Sequence, residues 1–160
     1  MKKPISMLEL GAGPYGGMTY RIARMRKKAF VQGKRPGFGS ESEGRLVASD
    51  VGKIEPPIVF GLANVKGLET RKIEAYKHLR ELIEHGEKVK VVKADYLLDN
   101  LKTDGEKKRL LRAVREVLAP NGRLFITAHK GNSAGIRKIM RGLGYVTHKK
   151  CFRPSSLSPG

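Results

Sequence analysis

The residues best suited to chemistry in this sequence lie in a glycine-rich turn near its start. A largely apolar run from Ile5 to Leu10 includes one carboxylate, Glu9, and predicts a short buried strand. The turn that follows contains Gly11, Gly13, Gly16 and Gly17. Because glycine has no Cβ atom, a turn of this kind lets the backbone approach a nucleotide-like ligand closely.

Two classes of cofactor use such a turn, and the residues themselves leave the choice open. The spacing Gly11-x-Gly13-x-x-Gly16 matches the dinucleotide-binding pattern, which predicts NAD or a flavin nucleotide. Glu9 counts against a pyrophosphate ligand, because like charges repel in a poorly solvated site. A cofactor without phosphates is therefore favoured, and an NAD-dependent enzyme is the alternative.

The segment Glu-Leu-Gly-Ala-Gly at 9–13 resembles the first motif of the class I SAM-dependent methyltransferases, an acidic residue followed by x-Gly-x-Gly. The resemblance implies that S-adenosylmethionine (SAM) is the cofactor and that Glu9 helps to hold its cationic methionine end. It also implies that the cofactor contacts Gly11, Ala12, Gly13 and Gly16. In the family the third glycine usually comes two residues after the second, whereas here Pro14 and Tyr15 delay it to Gly16.

A second stretch, residues 110–128, supports the same resemblance. Leu110, Leu111, Val114, Val117 and Leu118 have helical spacing. Pro120-Asn121-Gly122 is predicted to stop the helix and turn the chain into a strand from Arg123 to Ala128. The family has a helix that ends in Leu-x-Pro-Gly-Gly before its fifth strand, and asparagine also tolerates the left-handed backbone of the replaced glycine.

Strands and helices alternate along the rest of the chain. We predict strands at 5–10, 45–50, 89–95, 122–129 and 145–152, and helices at 17–30, 68–85, 104–118 and 133–142, the last capped by Ser133. Residues 33–44 are predicted to form a loop, and 51–67 are ambiguous. This alternation predicts a Rossmann-like, doubly wound α/β fold, with a mostly parallel sheet and helices on both faces. The domain is placed at 1–153 and a flexible tail at 154–160.

Two acidic residues follow predicted strands. Ligands of such sheets bind at the carboxyl ends of strands, so Asp50 and Asp95 are expected at the same edge as the glycine turn. The family resemblance implies that Asp50 binds the ribose hydroxyls. If the strand at 89–95 is the third, the resemblance places Asp95 and Tyr96 beside the adenine.

If that strand is instead the fourth, Asp95 or Asp99 faces the methyl acceptor. The third strand is then short or lies at Ile58–Phe60. The residues nearest the adenine in that case are Leu62, Ala63 and Asn64.

Candidates for catalysis are few, namely Asp95, Asp99, His129 and Lys130. His129 could act as a base, because the reference pKa of histidine is near neutral. Asp95 and Lys130 could be two members of the Lys-Asp-Lys-Glu set of one branch of ribose methyltransferases, but no acid follows Glu116. Methyl transfer from a sulfonium is an in-line displacement, which positioning accelerates without a conspicuous catalytic side chain.

Other methyltransferase chemistries fit less well. Cys151 lacks the preceding proline that is usual in cytosine methyltransferases, and Glu55-Pro56-Pro57-Ile58 lacks the aromatic residue of the adenine motif. No grouping of histidine, aspartate and glutamate has the spacing of a metal site.

The charge of the chain is strongly unbalanced. Lysine and arginine number 33 against 15 acidic residues, for a net charge of +18. The tracts 21–35 and 123–153 contain no acidic residue at all. Acid-free basic tracts indicate a polyanionic partner, with RNA favoured, although a solubilising surface is the other explanation.

These observations favour a SAM-dependent methyltransferase that acts on RNA. A catalytically inactive relative that binds nucleic acid is the alternative, followed by the NAD-dependent enzyme. Because the chain has no separate recognition domain, a homodimer or a protein partner could complete the substrate site.

Length and composition limit the other possibilities. At 160 residues, 39% of them hydrophobic, the chain is one domain without an apolar run of the ~20 residues that a membrane span needs. Cys151 is the single cysteine, which excludes an internal disulfide and a cysteine zinc site. No signal peptide is evident, so a cytoplasmic protein without a membrane partner is expected.

Overall fold

A single mixed sheet organises the protein. The computed structural model describes residues 4–13, 44–52, 68–148 and 151–155. In these residues the strands are β1 (Ile5–Leu10), β2 (Arg45–Asp50), β3 (Leu68–Lys72), β4 (Val89–Asp95), β5 (Leu118–Thr127), β6 (Tyr145–His148) and β7 (Cys151–Pro154). Their order across the sheet is β3-β2-β1-β4-β5-β7-β6. Strands β1 to β5 pair in parallel, and β7 is antiparallel to both β5 and β6. The predicted mostly parallel α/β sheet is confirmed.

The described helices lie on one face of this sheet. They are α1 (Ala75–Glu84), α2 (Asp104–Val117) and α3 (Lys130–Gly142), each of which connects a strand to one further along the sheet in the same direction. Right-handed crossovers in one direction place all three on the same face, and α2 packs against both α1 and α3. The helix predicted at 17–30 lies outside the described residues.

Alternate residues of the central strands form the core beneath the helices. Leu8 of β1, Val92 of β4 and Leu124 of β5 are fully buried against the apolar sides of the helices. The helix residues in the same cluster include Leu79, Leu82, Leu111, Val114, Ile136 and Met140. At one end of this core the Tyr145 hydroxyl donates to the Leu111 carbonyl at 2.6 Å, which joins β6 to α2.

The prediction of one helix over 68–85 is wrong. Leu68–Lys72 is strand β3, which pairs with β2, and the helix begins only at Ala75. Glu74 starts the helix, because its carboxylate accepts hydrogen bonds from the N–H groups of Tyr76 and Lys77, both at 3.0 Å. The third described strand is thus β3. The segment 58–60, which we considered as a possible third strand, lies outside the described residues.

The elements near the end of the described chain also differ from the prediction. Residues 145–152 form two antiparallel strands, β6 and β7, and β7 supplies a strand between β5 and β6. Helix α3 begins at Lys130, so Ser133 lies inside it and donates to the Lys130 carbonyl at 3.1 Å. Strand β7 extends through Pro154, one residue past the predicted domain boundary.

Residues 120–122, predicted to form a turn before the strand, are part of β5. The helix ends at Val117, and β5 begins at Leu118 with a shift of register against β4. Asn121 has the predicted left-handed backbone, with φ of 61°. A Cβ atom on Gly122 would lie 2.7 Å from the Ala119 carbonyl oxygen, so this position requires glycine.

Arg45, the first residue of β2, forms ion pairs near the amino-terminal ends of β3 and β4. Its guanidinium, on a side chain only 13% exposed, pairs with Glu69 of β3 and with Glu87, which precedes β4. Its bonds to Glu69 measure 2.6 and 3.0 Å, and this carboxylate is the main cause that raises the pKa of Arg45.

We expect Arg45→Met to lower the free energy of unfolding by about 2–3 kcal/mol, because it leaves two carboxylates facing each other without their cation. Arg71→Met is the control, because the Arg71–Glu81 pair is exposed and should contribute about 0–1 kcal/mol. Urea unfolding measures both variants, and equal losses would contradict this role of Arg45.

His78 of α1 is a buried histidine with a consequence for pH. Its ring is 1% exposed, and Nδ1 has no hydrogen-bond partner among the described residues. Burial is the main cause that lowers the pKa of His78 from 6.5 to about 4. The unfolded chain therefore binds a proton near pH 6.5 while the folded protein does not.

Stability is consequently lost as the pH falls from 6.5 to 4, by up to about 3 kcal/mol at 1.36 kcal/mol per pKa unit. We expect His78→Leu to reduce this loss, measured by urea unfolding at pH 7 and pH 5. His85→Gln, at the exposed end of the same helix, should retain it. A wild-type pH dependence in His78→Leu would refute the assignment.

Candidate functional site

A cleft opens at the carboxyl edge of the sheet, where the order of the strands reverses. The chain passes from β1 to β2 and β3 on one side and then crosses to β4 on the other side of β1. Ligands of α/β sheets bind at such a reversal of strand order. The cleft has a volume of about 380 Å³, within the range of small-molecule sites. Its walls include Gly11, Asp50, Val51, Ile73, Asp95 and Leu97.

Asp50 forms hydrogen bonds with the segments that follow β1, β2 and β3. Its Oδ2 accepts the N–H of Gly13 at 2.9 Å, and its Oδ1 accepts the N–H of Gly52 at 2.8 Å. Its own carbonyl accepts the N–H of Ile73 at 2.9 Å. The predicted proximity of Asp50 and the glycine turn is confirmed by these bonds.

The glycine turn has the backbone that its sequence predicts. Gly11 and Gly13 have φ angles of +65° and +75°, a region that other residues seldom adopt. A Cβ atom on Gly11 would lie 3.2 Å from Leu97 Cδ1, so the turn approaches the segment after β4 closely. Ala12 is held by its N–H, which donates to the Ser49 carbonyl at 3.0 Å. Gly16 and Gly17 lie outside the described residues.

Glu9 lies beneath this turn rather than in the described lining of the cleft. It is 1% exposed, and it is aligned with Ala48 of β2 and Lys93 of β4. Its role at the methionine end of a cofactor stays a prediction.

Asp95 ends β4, the fourth described strand along the chain and the neighbour of β1 in the sheet. For this position the family resemblance implies that Asp95 faces the methyl acceptor rather than the adenine, and that role stays a prediction. Its Oδ1 accepts hydrogen bonds from the Thr127 hydroxyl at 2.6 Å and from the Lys93 ammonium at 2.9 Å. Leu62, Ala63 and Asn64, the alternative residues near the adenine, lie outside the described residues.

Tyr96 and His129 form a ring pair beside Asp95. Tyr96 has a left-handed backbone, with φ of 55°, and its N–H donates to the Thr127 carbonyl at 2.7 Å. Its ring centroid lies 4.9 Å from that of His129, and Tyr96 is 46% exposed. The ends of β4 and β5 thus bring together two of the predicted site residues.

Asp99 holds the start of α3 next to this pair. Its carboxylate accepts hydrogen bonds from the Asn132 amide at 2.6 Å and from the His129 N–H at 2.9 Å. The bond from Asn132 is the main cause that lowers the pKa of Asp99. Lys130 follows directly as the first residue of α3 and is exposed.

The far end of the cleft contains residues that the sequence did not single out. Ile73 and Glu74 follow β3, and the Arg109 guanidinium of α2 lies 4.4 Å from the centre of the Tyr76 ring. These residues were missed because β3 was predicted as helix. Glutamate is also uncommon as the N-cap residue of a helix, so Glu74 does not indicate in the sequence that a helix begins there.

The two other candidates from the sequence are Cys151 and the segment Glu55–Ile58. Cys151 is buried in β7, and Glu55–Ile58 lies outside the described residues. Within the described ranges, no group of histidine, cysteine or acidic residues could hold a metal ion. No helix of this part of the chain is long and apolar enough to cross a membrane.

We expect Gly11→Ala to lower the free energy of unfolding by at least about 1 kcal/mol, because alanine meets both a left-handed backbone and the Leu97 side chain. Gly135→Ala is the control. It lies in the interior of α3 with open space around its Cβ, where alanine should add about 0.5–1 kcal/mol. Thermal unfolding compares the two, and a gain in stability from Gly11→Ala would contradict the close approach.

Comparison with known proteins gives matches in structure. No protein-family model and no curated protein match the sequence. A SAM-dependent methyltransferase from Agrobacterium tumefaciens aligns with a TM-score of 0.56 and 17% identity, over 91% of this chain and 47% of that one. A precorrin-6y C5,15-methyltransferase from Geobacter metallireducens GS-15 aligns with a TM-score of 0.50 and 14% identity, over 91% of this chain and 65% of that one.

The chain spans between about half and two thirds of the length of these two proteins. Each alignment covers 91% of this chain. The chain has the fold of the class I SAM-dependent methyltransferases.

Proposed function

We propose that the protein is a SAM-dependent methyltransferase and that its acceptor is RNA. The observation that carries the proposal is the bonding of Asp50 to the glycine turn, at the edge of a cleft where the strand order reverses. In this fold a carboxylate at that position faces the nucleoside part of the cofactor.

The sheet favours this cofactor over a dinucleotide. Dinucleotide-binding sheets have the strand order 3-2-1-4-5-6. Here the reversed strand β7 lies between β5 and β6, and the two similar solved structures named above are methyltransferases. An NAD-dependent enzyme is therefore not our preferred interpretation.

The residues present fit SAM in shape and in chemistry. When bound, SAM supplies a methyl group on a positively charged sulfur. Asp50 already accepts two N–H groups, and its carboxylate keeps lone pairs that can accept the ribose hydroxyls. Val51 and Ile73 offer apolar contact to the adenine. No described atom lies within 4 Å of the place of a Cβ atom on Gly13, which leaves space for the methionine part.

The acceptor side is the end of β4. Asp95 lines the cleft, and its ionised carboxylate can only accept hydrogen bonds, so it can orient an acceptor N–H or O–H group. The neighbouring His129 is the candidate for taking up a proton after transfer. These residues position the acceptor, and positioning is the main contribution to an in-line displacement.

The charge of the chain supports RNA as the acceptor. One structural neighbour is named for a precorrin, so the fold alone does not select the substrate. A net charge of +18, with α3 free of acidic residues, attracts a polyanion over many ångströms. A second copy of the chain or a protein partner that completes the acceptor side is a further part of the proposal.

We expect calorimetric titration to show SAM binding that Asp50→Asn weakens about 10- to 150-fold. This range follows from losing about 1.5–3 kcal/mol of hydrogen bonding to a charged group. The amide also presents an N–H to one of the two donors of the turn. Glu84→Gln, an exposed carboxylate at the end of α1, is the control and should bind SAM as the wild type does.

Titrations with demethylated SAM and with NAD complete the experiment. Binding of NAD alone would overturn the proposal in favour of a dinucleotide enzyme. SAM binding without transfer of a labelled methyl group to any RNA tested would leave a cofactor-binding protein and refute the RNA methyltransferase.

A further inference from the structure

An exposed basic face extends along α3. Lys130, Arg137, Lys138 and Arg141 are all exposed, whereas Ile136 and Met140 are buried on the opposite side of the helix. The helix contains no acidic residue. At a rise of about 1.5 Å per residue, the cations from Lys130 to Arg141 span roughly 16 Å along the surface.

The ring pair of Tyr96 and His129 lies where this face begins. His129 directly precedes α3, and its ring is 4.9 Å from that of the half-exposed Tyr96. The hydrogen bonds of Tyr96 N–H to Thr127 and of His129 N–H to Asp99 hold both backbones in place. Flat rings are therefore presented at the rim of the cleft on a rigid base.

We propose that α3 and the Tyr96–His129 pair form a binding surface for single-stranded RNA. The cations of α3 contact backbone phosphates, and an unpaired base stacks on the exposed ring of Tyr96. Proteins that bind single strands combine a positively charged path with aromatic rings in this way. The proposal rests on RNA as the acceptor and locates where that acceptor enters the cleft.

The charges near the ring pair determine which part of the surface contacts phosphate. Asp99 and Asp95 lie beside the rings and repel phosphate there. Helix α3 also packs against α2, whose acids Asp104 and Glu106 are at its amino-terminal end, and against β6, which has no acidic residue. Phosphates are thus expected at Arg137, Lys138 and Arg141, and the base, which is uncharged, at Tyr96.

The stacking is tested with Tyr96→Asn in the full chain. Asparagine tolerates the left-handed backbone of this position, so the ring is removed without a new conformational strain. Fluorescence anisotropy with a labelled single-stranded RNA of twelve nucleotides should show binding weakened about five- to a hundredfold. Tyr96→His restores a ring that also tolerates this backbone, and it should recover most of the affinity.

The phosphate contacts are tested by the salt dependence of binding. The double variant Arg137→Gln and Arg141→Gln should reduce the slope of log affinity against log salt by about 1.4, since each single-strand phosphate contact contributes about 0.7. The control, Lys72→Gln with Lys77→Gln, removes the same charge from two exposed positions away from α3: Lys72 ends the edge strand β3, and Lys77 is in α1. It should leave the slope nearly unchanged.

Three outcomes would overturn the proposal. Equal reductions of the salt slope in the two double variants would show that RNA responds only to the net charge of the protein and not to α3. Unchanged affinity in Tyr96→Asn would exclude the stacked base, and polyglutamate binding as tightly as RNA would indicate an acidic protein partner. SAM titration of Tyr96→Asn and of the Arg137 and Arg141 double variant separates these results from a failure of the methyltransferase proposal, because these residues follow β4 or lie on α3, whereas Asp50 is at the end of β2.

Discussion

The bonding of Asp50 determines the shape of the cleft. Its carboxylate and carbonyl accept N–H groups from the segments that follow β1, β2 and β3, so three separate turns are fixed relative to one another. The same carboxylate keeps lone pairs for hydroxyl donors. One side chain therefore both builds the walls of the crevice and presents acceptors inside it, and ligand binding there does not have to order the turns first.

The distribution of charge divides the surface between two kinds of ligand. The cleft is lined by Asp50, Glu74, Asp95 and Glu106 against one described cation, Arg109. Helix α3 carries only cations. By charge alone, a cationic group is favoured inside the cleft and phosphate groups are favoured beside it, along α3. Under our proposal, the methyl donor and the backbone of the acceptor therefore occupy different parts of the same edge of the sheet.

The parts of the fold that were predictable are those whose signal is local. The bounds of β1 and β2 match the prediction, because each is a buried apolar strand that stops at a turn. Gly11, Asp50 and Asp95 were placed at one edge because parallel strands end together. Strand β3, Leu-Glu-Thr-Arg-Lys, is a polar edge strand without an alternating pattern and merged with the helix after it. Tyr76 and Arg109 are in contact because α1 packs on α2. The residues that flank each of them in the sequence do not indicate this contact.

The position of β7 has a consequence for the order in which the sheet can be assembled. Within the described residues, β6 is bonded only to β7, and β7 is bonded on its other side to β5. Strand β7 is synthesised after β6, yet it is β7 that connects β6 to the rest of the sheet. Until β7 has emerged from the ribosome, β6 can hold to the rest only through contacts such as that of Tyr145 with α2. The five neighbouring strands from β3 to β5 do not depend on β6 or β7 for their pairing, so they can form before the far edge of the sheet is complete.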